Sequence, residues 1–266
     1  MTEQENSLEV NLWHVDVAQL LQQHSSSALA RILTREEQER AQRFHFTEHA
    51  DRFIAGRFFL RHVLAFHLQI KPADIKFDIG FNGKPWAIDS QGRKRNFSFS
   101  RSGSQAICAF CNSSLVGIDI ELKTGIEDME RVAESIFSSS DFEQWIQLSN
   151  PEQLDSFYWS WTRKEAVSKI DGSGISQGVK QFEVPLDRLP TGEAQWVKRV
   201  SDSKIHPVIS DWLLGDSISA TVAFDGPHPA KRIAYQDQTL ALVPDSQIAE
   251  SVSHFVSINR HFKFTS

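Results

Sequence analysis

Val116-Gly-Ile-Asp-Ile-Glu121 alternates apolar and polar residues with the period of a β-strand. That alternation buries Ile118 and Ile120 on one face and sends Asp119 and Glu121 out together from the other. Two carboxylates leaving one face of a strand repel each other unless something positive sits between them. A second stretch further along, Trp161-Thr-Arg-Lys-Glu-Ala-Val-Ser-Lys169, lies in a segment of helical period running from about 151 to 170. At roughly 100° per residue, Trp161, Glu165 and Lys169 stack on one helix face, and Trp159, Ala166, Val167 and Ile170 share the opposite one. A strand with two carboxylates and a helix with a third, plus a lysine one turn on, make a site for a hard cation and a phosphate. Mg²⁺ takes a few carboxylates together with phosphate oxygens and keeps some of its water.

Each feature alone has an ordinary reading. Asp119 and Glu121 are then the wet face of a half-buried strand, and Glu165 with Lys169 is an i,i+4 surface pair worth about 0.2–0.5 kcal/mol. Their joint arrangement reverses the balance, because independent surface charges have no reason to reproduce a three-carboxylate pattern.

The composition fits a globular enzyme. The chain has 266 residues, 40% apolar and 23% charged, enough for one large domain or two ordinary ones. Its net charge of −6, with no long basic stripe, gives no reason to expect nucleic acid. No apolar run approaches the ~20 residues of a membrane span, and Phe58–Phe66 is broken by Arg61 and His62. The opening Met1-Thr-Glu-Gln-Glu-Asn-Ser7 is polar and acidic, unlike a secretory signal, so the expectation is a cytoplasmic protein. The two cysteines, Cys108 and Cys111, fit a reducing compartment. They sit three apart in a strand-like run, hence on opposite faces, with no second pair to complete a zinc site, so both are expected in the core.

Along the chain, residues 8–15 read as a strand and 18–21 as a short helix. Thr34 and Glu37 form a capping-box pattern opening a helix to about Arg43, and Thr47 is expected to cap the next, to about Leu68. Strands are expected near 75–79, 97–100, 106–110 and 116–121. In the second half Ser140 and Glu143 form another capping-box pattern, Asn150-Pro151 starts a long helix, and Asp171-Gly172 ends it. Strand-like runs follow at 182–184, 193–197, 208–214 and 217–223. A further one lies at 239–243. The helix-then-strand order occurs twice, a weak internal duplication with its boundary near Asn112.

Both quoted stretches, in this order and spacing, closely resemble the signature of the Sfp-like 4′-phosphopantetheinyl transferases. That family carries Val/Ile-Gly-Ile/Val-Asp and then Trp/Phe-x-x-Lys-Glu-Ala/Ser-x-x-Lys. Gly83-Lys84-Pro85 followed by Phe97-Ser-Phe-Ser-Arg-Ser102 also resembles the family, which has Gly-Lys-Pro and then Phe-Asn-x-Ser-His-Ser. Ser98 replaces the asparagine and Arg101 the histidine. The resemblance implies an α+β fold of two pseudo-duplicated halves in one compact monomer, with the ligand cleft between them. The halves would be 1–112, carrying basic residues for coenzyme A, and 113–235, carrying the metal and catalytic acids, while 236–266 has no assigned role.

The implied activity is transfer of the 4′-phosphopantetheine arm of coenzyme A, the substrate, to a serine of an apo acyl carrier or peptidyl carrier protein. Such carriers serve fatty acid, polyketide, polyunsaturated fatty acid or nonribosomal peptide synthases. By match, Asp119, Glu121 and Glu165 bind Mg²⁺, and Asp119, Glu165 and Lys169 are catalytic, Glu165 as the base and Asp141 as its alternative. Arg40, Gly83, Lys84, Pro85, Ser100, Arg101, Lys164 and Lys169 would hold coenzyme A. An arginine at 101 is a good phosphate clamp but removes any proton-transfer role there. Arg40 reads equally well as a solvated helix arginine, and Arg93-Lys-Arg95 as a solvated loop tip or a contact for an acidic carrier. The alternative from another class is a non-catalytic module that binds coenzyme A or a carrier. A nucleotide phosphotransferase lacks support, since there is no Gly-x-x-x-x-Gly-Lys-Ser/Thr loop.

Overall fold

A computed structural model of the chain describes residues 6–80, 82–172, 180, 182–190, 193–199, 206–212, 214–226, 232–242 and 256–265. The first part runs β1 (Asn6–Asp16), α1 (Val17–Gln23), α2 (Ser26–Leu29), α3 (Arg35–Gln42), α4 (Thr47–Leu68), β2 (Lys76–Ile79), β3 (Pro85–Ile88), β4 (Lys94–Ser102) and β5 (Gln105–Cys111). The second runs β6 (Val116–Leu122), α5 (Met129–Ile136), α6 (Ser139–Trp145), α7 (Asn150–Asp171), β7 (Phe182–Glu183), β8 (Gln195–Trp196), β9 (Lys198–Arg199), β10 (Pro207–Asp211) and β11 (Ile218–Asp225). Strands β12 (Arg232–Leu242) and β13 (Val256–Thr265) follow.

The fold is α+β, and each half sets one 22-residue helix, α4 or α7, against an antiparallel sheet. The first sheet has the order β12-β13-β1-β5-β4-β3-β2, the second β6-β11-β10-β8. Strand β13 pairs with β1 along its backbone, so the tail adds to the sheet of the first half, and a boundary at 235 falls inside β12. The expected strand at 239–243 lies in β12 up to Leu242, and residue 243 is outside the described residues.

Alternation explains the layering. On β5, Ala106, Cys108 and Phe110 pack toward α4 with Phe59, Leu60 and Val63. Ile107, Ala109 and Cys111 face the second sheet, where they meet Ile118, Ile120 and Val222. The two cysteines are therefore free, buried and on opposite faces, as their spacing requires. The other face of the second sheet packs on α7 through Ala166, Val167 and Ile170.

Helix ends follow local chemistry, with two differences from expectation. The Thr34–Glu37 capping box forms, and α7 opens on a second box, Ser149 with Glu152, with proline in its first turn. Gly172 ends α7 at φ 78°, a left-handed conformation that glycine adopts without steric cost. Thr47 is instead the first residue of α4, with extended Phe46 as its uncapped N-terminal neighbour. Helix α6 starts earlier than the Ser140–Glu143 pattern implied: Ser138 has the extended backbone of a cap and accepts from the Asp141 N–H.

Candidate active site

Gly117 decides how close the two catalytic elements come. A Cβ there would collide with the Ala166 carbonyl, so only glycine lets β6 lie against α7. The odd residues of β6 then face α7 and the even ones the inter-sheet core. Helix α7 is enclosed on nearly every side over its second half: from 161 to 170, only Trp161, Glu165 and Lys169 are not buried. These are the three that its periodicity stacks on one face.

Asp119, 3% exposed, receives at Oδ1 the Lys169 ammonium at 2.6 Å and the Ser100 hydroxyl at 2.7 Å. Lys169 also donates to Ser100 Oγ at 3.1 Å. Glu121 accepts from the Ser102 hydroxyl at 2.6 Å and from the Trp161 side chain. Burial raises the pKa of Asp119, against the pull of Lys169. Burial likewise raises Glu121, and the neighbouring Asp119 adds to the shift. Glu165 is pushed up to about 7 by burial first, with Asp119 and Glu121 adding repulsion that Lys169 only partly offsets.

The structure thus brings together Asp119, Glu121, Glu165 and Lys169 as neighbours in one electrostatic group. Three carboxylates share a single lysine, and the buried Asp119 Oδ2 has no hydrogen-bond partner among the described residues. Oxygen donors in this proportion suit Mg²⁺. As the side chains stand, no group of three or more His, Cys, Asp or Glu among the described residues closes around an ion. The Lys169 ammonium lies against Asp119 instead.

A cleft of about 330 Å³ opens beside this group, with walls from both halves: Arg57, Phe97 and Phe99 on one side, Glu165, Ser168 and Lys169 on the other. Next to it three arginines gather. Arg40 and Arg101 both lie over the Phe53 ring, with guanidinium carbons 5.3 and 5.6 Å from its centre. Arg101 donates to the Arg52 carbonyl, and its Cδ would be 2.7 Å from a Cβ on Gly56, so a glycine inside α4 makes room for it. Burial lowers the pKa of both Arg57 and Arg101, and repulsion among the three adds to it. Arg57 is paired with Glu37, but among the described residues Arg101 has no ion pair, and such a cluster is a seat for an anion.

Two lysines from the expected coenzyme A set turn their ammonium groups to backbone carbonyls. Lys84 is 6% exposed, and its ammonium donates to the carbonyls of Val116, Lys169 and Ile170 at 2.6, 2.7 and 2.8 Å. Three donors meet three acceptors, so the charge closes the C-terminal end of α7 and is not offered to a phosphate. The Gly83–Pro85 turn still lines the cleft. Lys164 is 1% exposed on the far side of α7, donating to the Phe182 carbonyl and 4.0 Å from Asp141. Burial lowers its pKa to about 8. Asp141, the alternative base, belongs with this lysine and is not among the groups that perturb Glu165. Arg93 and Arg95 both pair with Asp89, and Lys94 with Asp78, so two carboxylates offset most of the charge of that basic run.

Sequence reasoning passed over Arg57, Gly56, Ser102 and the hydrogen bond of Trp161. The alternation of Ser98, Ser100 and Ser102 on one strand face was the available signal for Ser102. Arg57 carried none, since a lone arginine in a helix is usually solvated.

The site sets an arginine cluster and a group of acids beside a cleft walled by both halves, an arrangement suited to a phosphate-bearing ligand. Comparison with known proteins narrows this. Residues 115–223 match the model of the 4′-phosphopantetheinyl transferase superfamily, and 21–113 match that of the 4′-phosphopantetheinyl transferase N-terminal region. The chain is 35% identical over 188 residues to the 4′-phosphopantetheinyl transferase HetI of Nostoc sp., covering 70% of this chain and 77% of HetI. It is 33% identical over 166 residues to the 4′-phosphopantetheinyl transferase Sfp of Bacillus subtilis, 62% of this chain and 72% of Sfp. Over 164 residues it is 30% identical to the L-aminoadipate-semialdehyde dehydrogenase-phosphopantetheinyl transferase of Xenopus laevis, 58% of this chain and 54% of that one. The chain belongs to the 4′-phosphopantetheinyl transferase superfamily and is an enzyme of that type.

Proposed function

We propose that this enzyme transfers the 4′-phosphopantetheine arm of coenzyme A to a serine of an apo acyl or peptidyl carrier protein, releasing adenosine 3′,5′-bisphosphate. The serine oxygen bonds to the β-phosphorus, the bond from that phosphorus to the bridging oxygen breaks, and the serine proton goes to Glu165. A carboxylate whose pKa sits near 7 accepts a proton at neutral pH and releases it again without a large penalty. Lys169 meets the charge that develops on the phosphate. Asp119, Glu121 and Glu165 would hold Mg²⁺, which when bound neutralises the pyrophosphate. Arg101, with Arg40 and Arg57, takes the 3′-phosphate, Ser100 helps hold coenzyme A beside Lys169, and the Gly83–Pro85 turn bounds the cleft. The halves 1–112 and 113–235 then divide substrate binding from chemistry.

The observation that carries this reading is the convergence of Glu165, Lys169 and Asp119 beside a cleft walled by both halves. The carrier is one of those in fatty acid, polyketide, polyunsaturated fatty acid or peptide synthesis. Among the described residues no helix is long and apolar enough to cross a membrane. With both cysteines free and buried, we take the enzyme to act in the cytoplasm as a monomer. Incubating the protein with coenzyme A, Mg²⁺ and a panel of apo carriers, then weighing the carriers by mass spectrometry, tests the proposal. Gain of the phosphopantetheine mass supports it; coenzyme A binding with no mass gain on any carrier would make the chain a binding module.

A further inference from the structure

Among the described residues, strand β6 is an edge of its own sheet, with β11 as its one strand neighbour there. The side of β6 away from β11 still has backbone N–H groups to satisfy. Two of them are met by side chains of the other half. Ser98 Oγ, on β4, accepts from the Ile118 N–H at 3.0 Å, and Ser102 Oγ accepts from the Leu122 N–H at 3.0 Å. Between them Ser100 donates to Asp119 at 2.7 Å. Ser102 passes its own hydrogen on to Glu121 Oε2 at 2.6 Å. One row of alternate serines therefore registers β6 against β4 across the joint between the halves. Two of the three also grip the acids.

We infer that Ser102 is a positioning residue for Glu121: bonded to the backbone of β6 and to the carboxylate at once, it fixes where that carboxylate points. The indole of Trp161 is the second donor on the same group. Ser98, which replaces the asparagine of the resembling motif, bonds the backbone of β6 and no acid of the ladder. This inference rests on the proposal that Glu121 is a metal ligand. Hydrogen bonds to a ligating carboxylate typically contribute about 10–100-fold to metal affinity.

The test uses Mn²⁺ as the probe, with coenzyme A and no carrier. Free Mn²⁺ is read by electron paramagnetic resonance, and thermal midpoints are recorded alongside. Ser102→Ala should weaken Mn²⁺ binding by about tenfold or more, and Ser102→Thr, which keeps the hydroxyl, should restore it. Ser98→Ala, which also strips an acceptor from β6, should lower the midpoint comparably and leave Mn²⁺ affinity unchanged. Trp161→Phe removes the other donor without touching the joint and should weaken binding even if Ser102→Ala does not fold. Wild-type affinity in both Ser102→Ala and Trp161→Phe, with Asp119→Ala unable to bind, would overturn the inference and leave the metal site standing. Equal losses in Ser98→Ala and Ser102→Ala would reduce the ladder to a structural joint and overturn it too. If Asp119→Ala binds Mn²⁺ like the wild type, or the wild type binds none, the metal-site reading itself fails.

Discussion

Lys84→Met separates two accounts of the Gly-Lys-Pro turn. If the ammonium holds a phosphate, its removal raises the KM for coenzyme A and leaves the fold alone. The structure gives it three carbonyl partners at 2.6–2.8 Å, two of them on the last turn of α7 and one at the start of β6. Methionine keeps the stem but leaves those oxygens buried without donors, at about 1–3 kcal/mol each where no water reaches them. Loss of the cost of burying the ammonium offsets part of this. A net destabilisation of about 3–5 kcal/mol is expected, the range for breaking a buried charged interaction. At roughly 2–4 °C per kcal/mol for a chain of this size, the thermal midpoint should fall by roughly 6–20 °C. Lys84→Arg should not rescue it, because a planar fork cannot aim three hydrogens at three converging carbonyls. Melting curves by circular dichroism, together with KM for coenzyme A on the surviving folded enzyme, decide the matter. An unchanged midpoint with a KM raised tenfold or more would refute the reasoning.

Asp119→Ala should nearly abolish transfer while the fold persists, and coenzyme A binding, followed by calorimetry with and without Mg²⁺, should lose most of its metal dependence. Glu165→Gln should lower turnover far more than coenzyme A affinity, since it removes a base and a charge while keeping shape; equal losses in steady-state kinetics would make Glu165 a ligand only. Arg101→Ala should raise the KM for coenzyme A by about tenfold or more, the loss of a charge-assisted bond of about 1.5–3 kcal/mol, and leave 3′-dephospho-coenzyme A unaffected. Equal penalties for both substrates would place the guanidinium against something else. His67 accepts the Trp13 indole N–H and is held neutral, its pKa lowered by burial from 6.5 to about 4. The unfolded chain therefore takes up this proton first, so stability is full above about pH 6.5 and falls by roughly 3 kcal/mol as pH drops to about 4. His14 and His62, also lowered by burial, act in the same direction. Urea unfolding at pH 7 and 4.5 should show the loss, and His67→Gln should lessen it.

Much of the site was legible because it depends on periodicity. The stacking of Trp161, Glu165 and Lys169 follows from helical geometry, and the shared face of Asp119 and Glu121 from the pleat of a strand. The buried lysines were not legible in that way. Lys84 and Lys164 read as coenzyme A ligands through the resemblance, and nothing local marks either lysine as one of the few that are fully buried. What buries them comes from elsewhere in the chain: the end of α7 and the start of β6 for Lys84, Phe182 and α6 for Lys164. The helix start at Ser138 was missed for a smaller reason, three serines in a row offering the same cap chemistry.

The covering of α7 also explains why its acid differs from those of β6. Several of its buried polar side chains are engaged: Arg163 with Asp211, Thr162 with Ser219 and Thr221, Lys164 with the Phe182 carbonyl. A helix held at so many points cannot shift, so Glu165 is delivered to a fixed place. Asp119 and Glu121 are each gripped by a serine hydroxyl, which favours their charged forms and fixes their direction. Glu165 has no side-chain hydrogen bond among the described residues and feels only burial and neighbouring charge. Ligands benefit from a fixed direction, whereas a base benefits from an unsatisfied lone pair and a pKa near the working pH. The two strand acids meet the first requirement and the helix acid the second. On this ground we propose Glu165, and not Asp141 beneath Lys164, as the group to receive the serine proton.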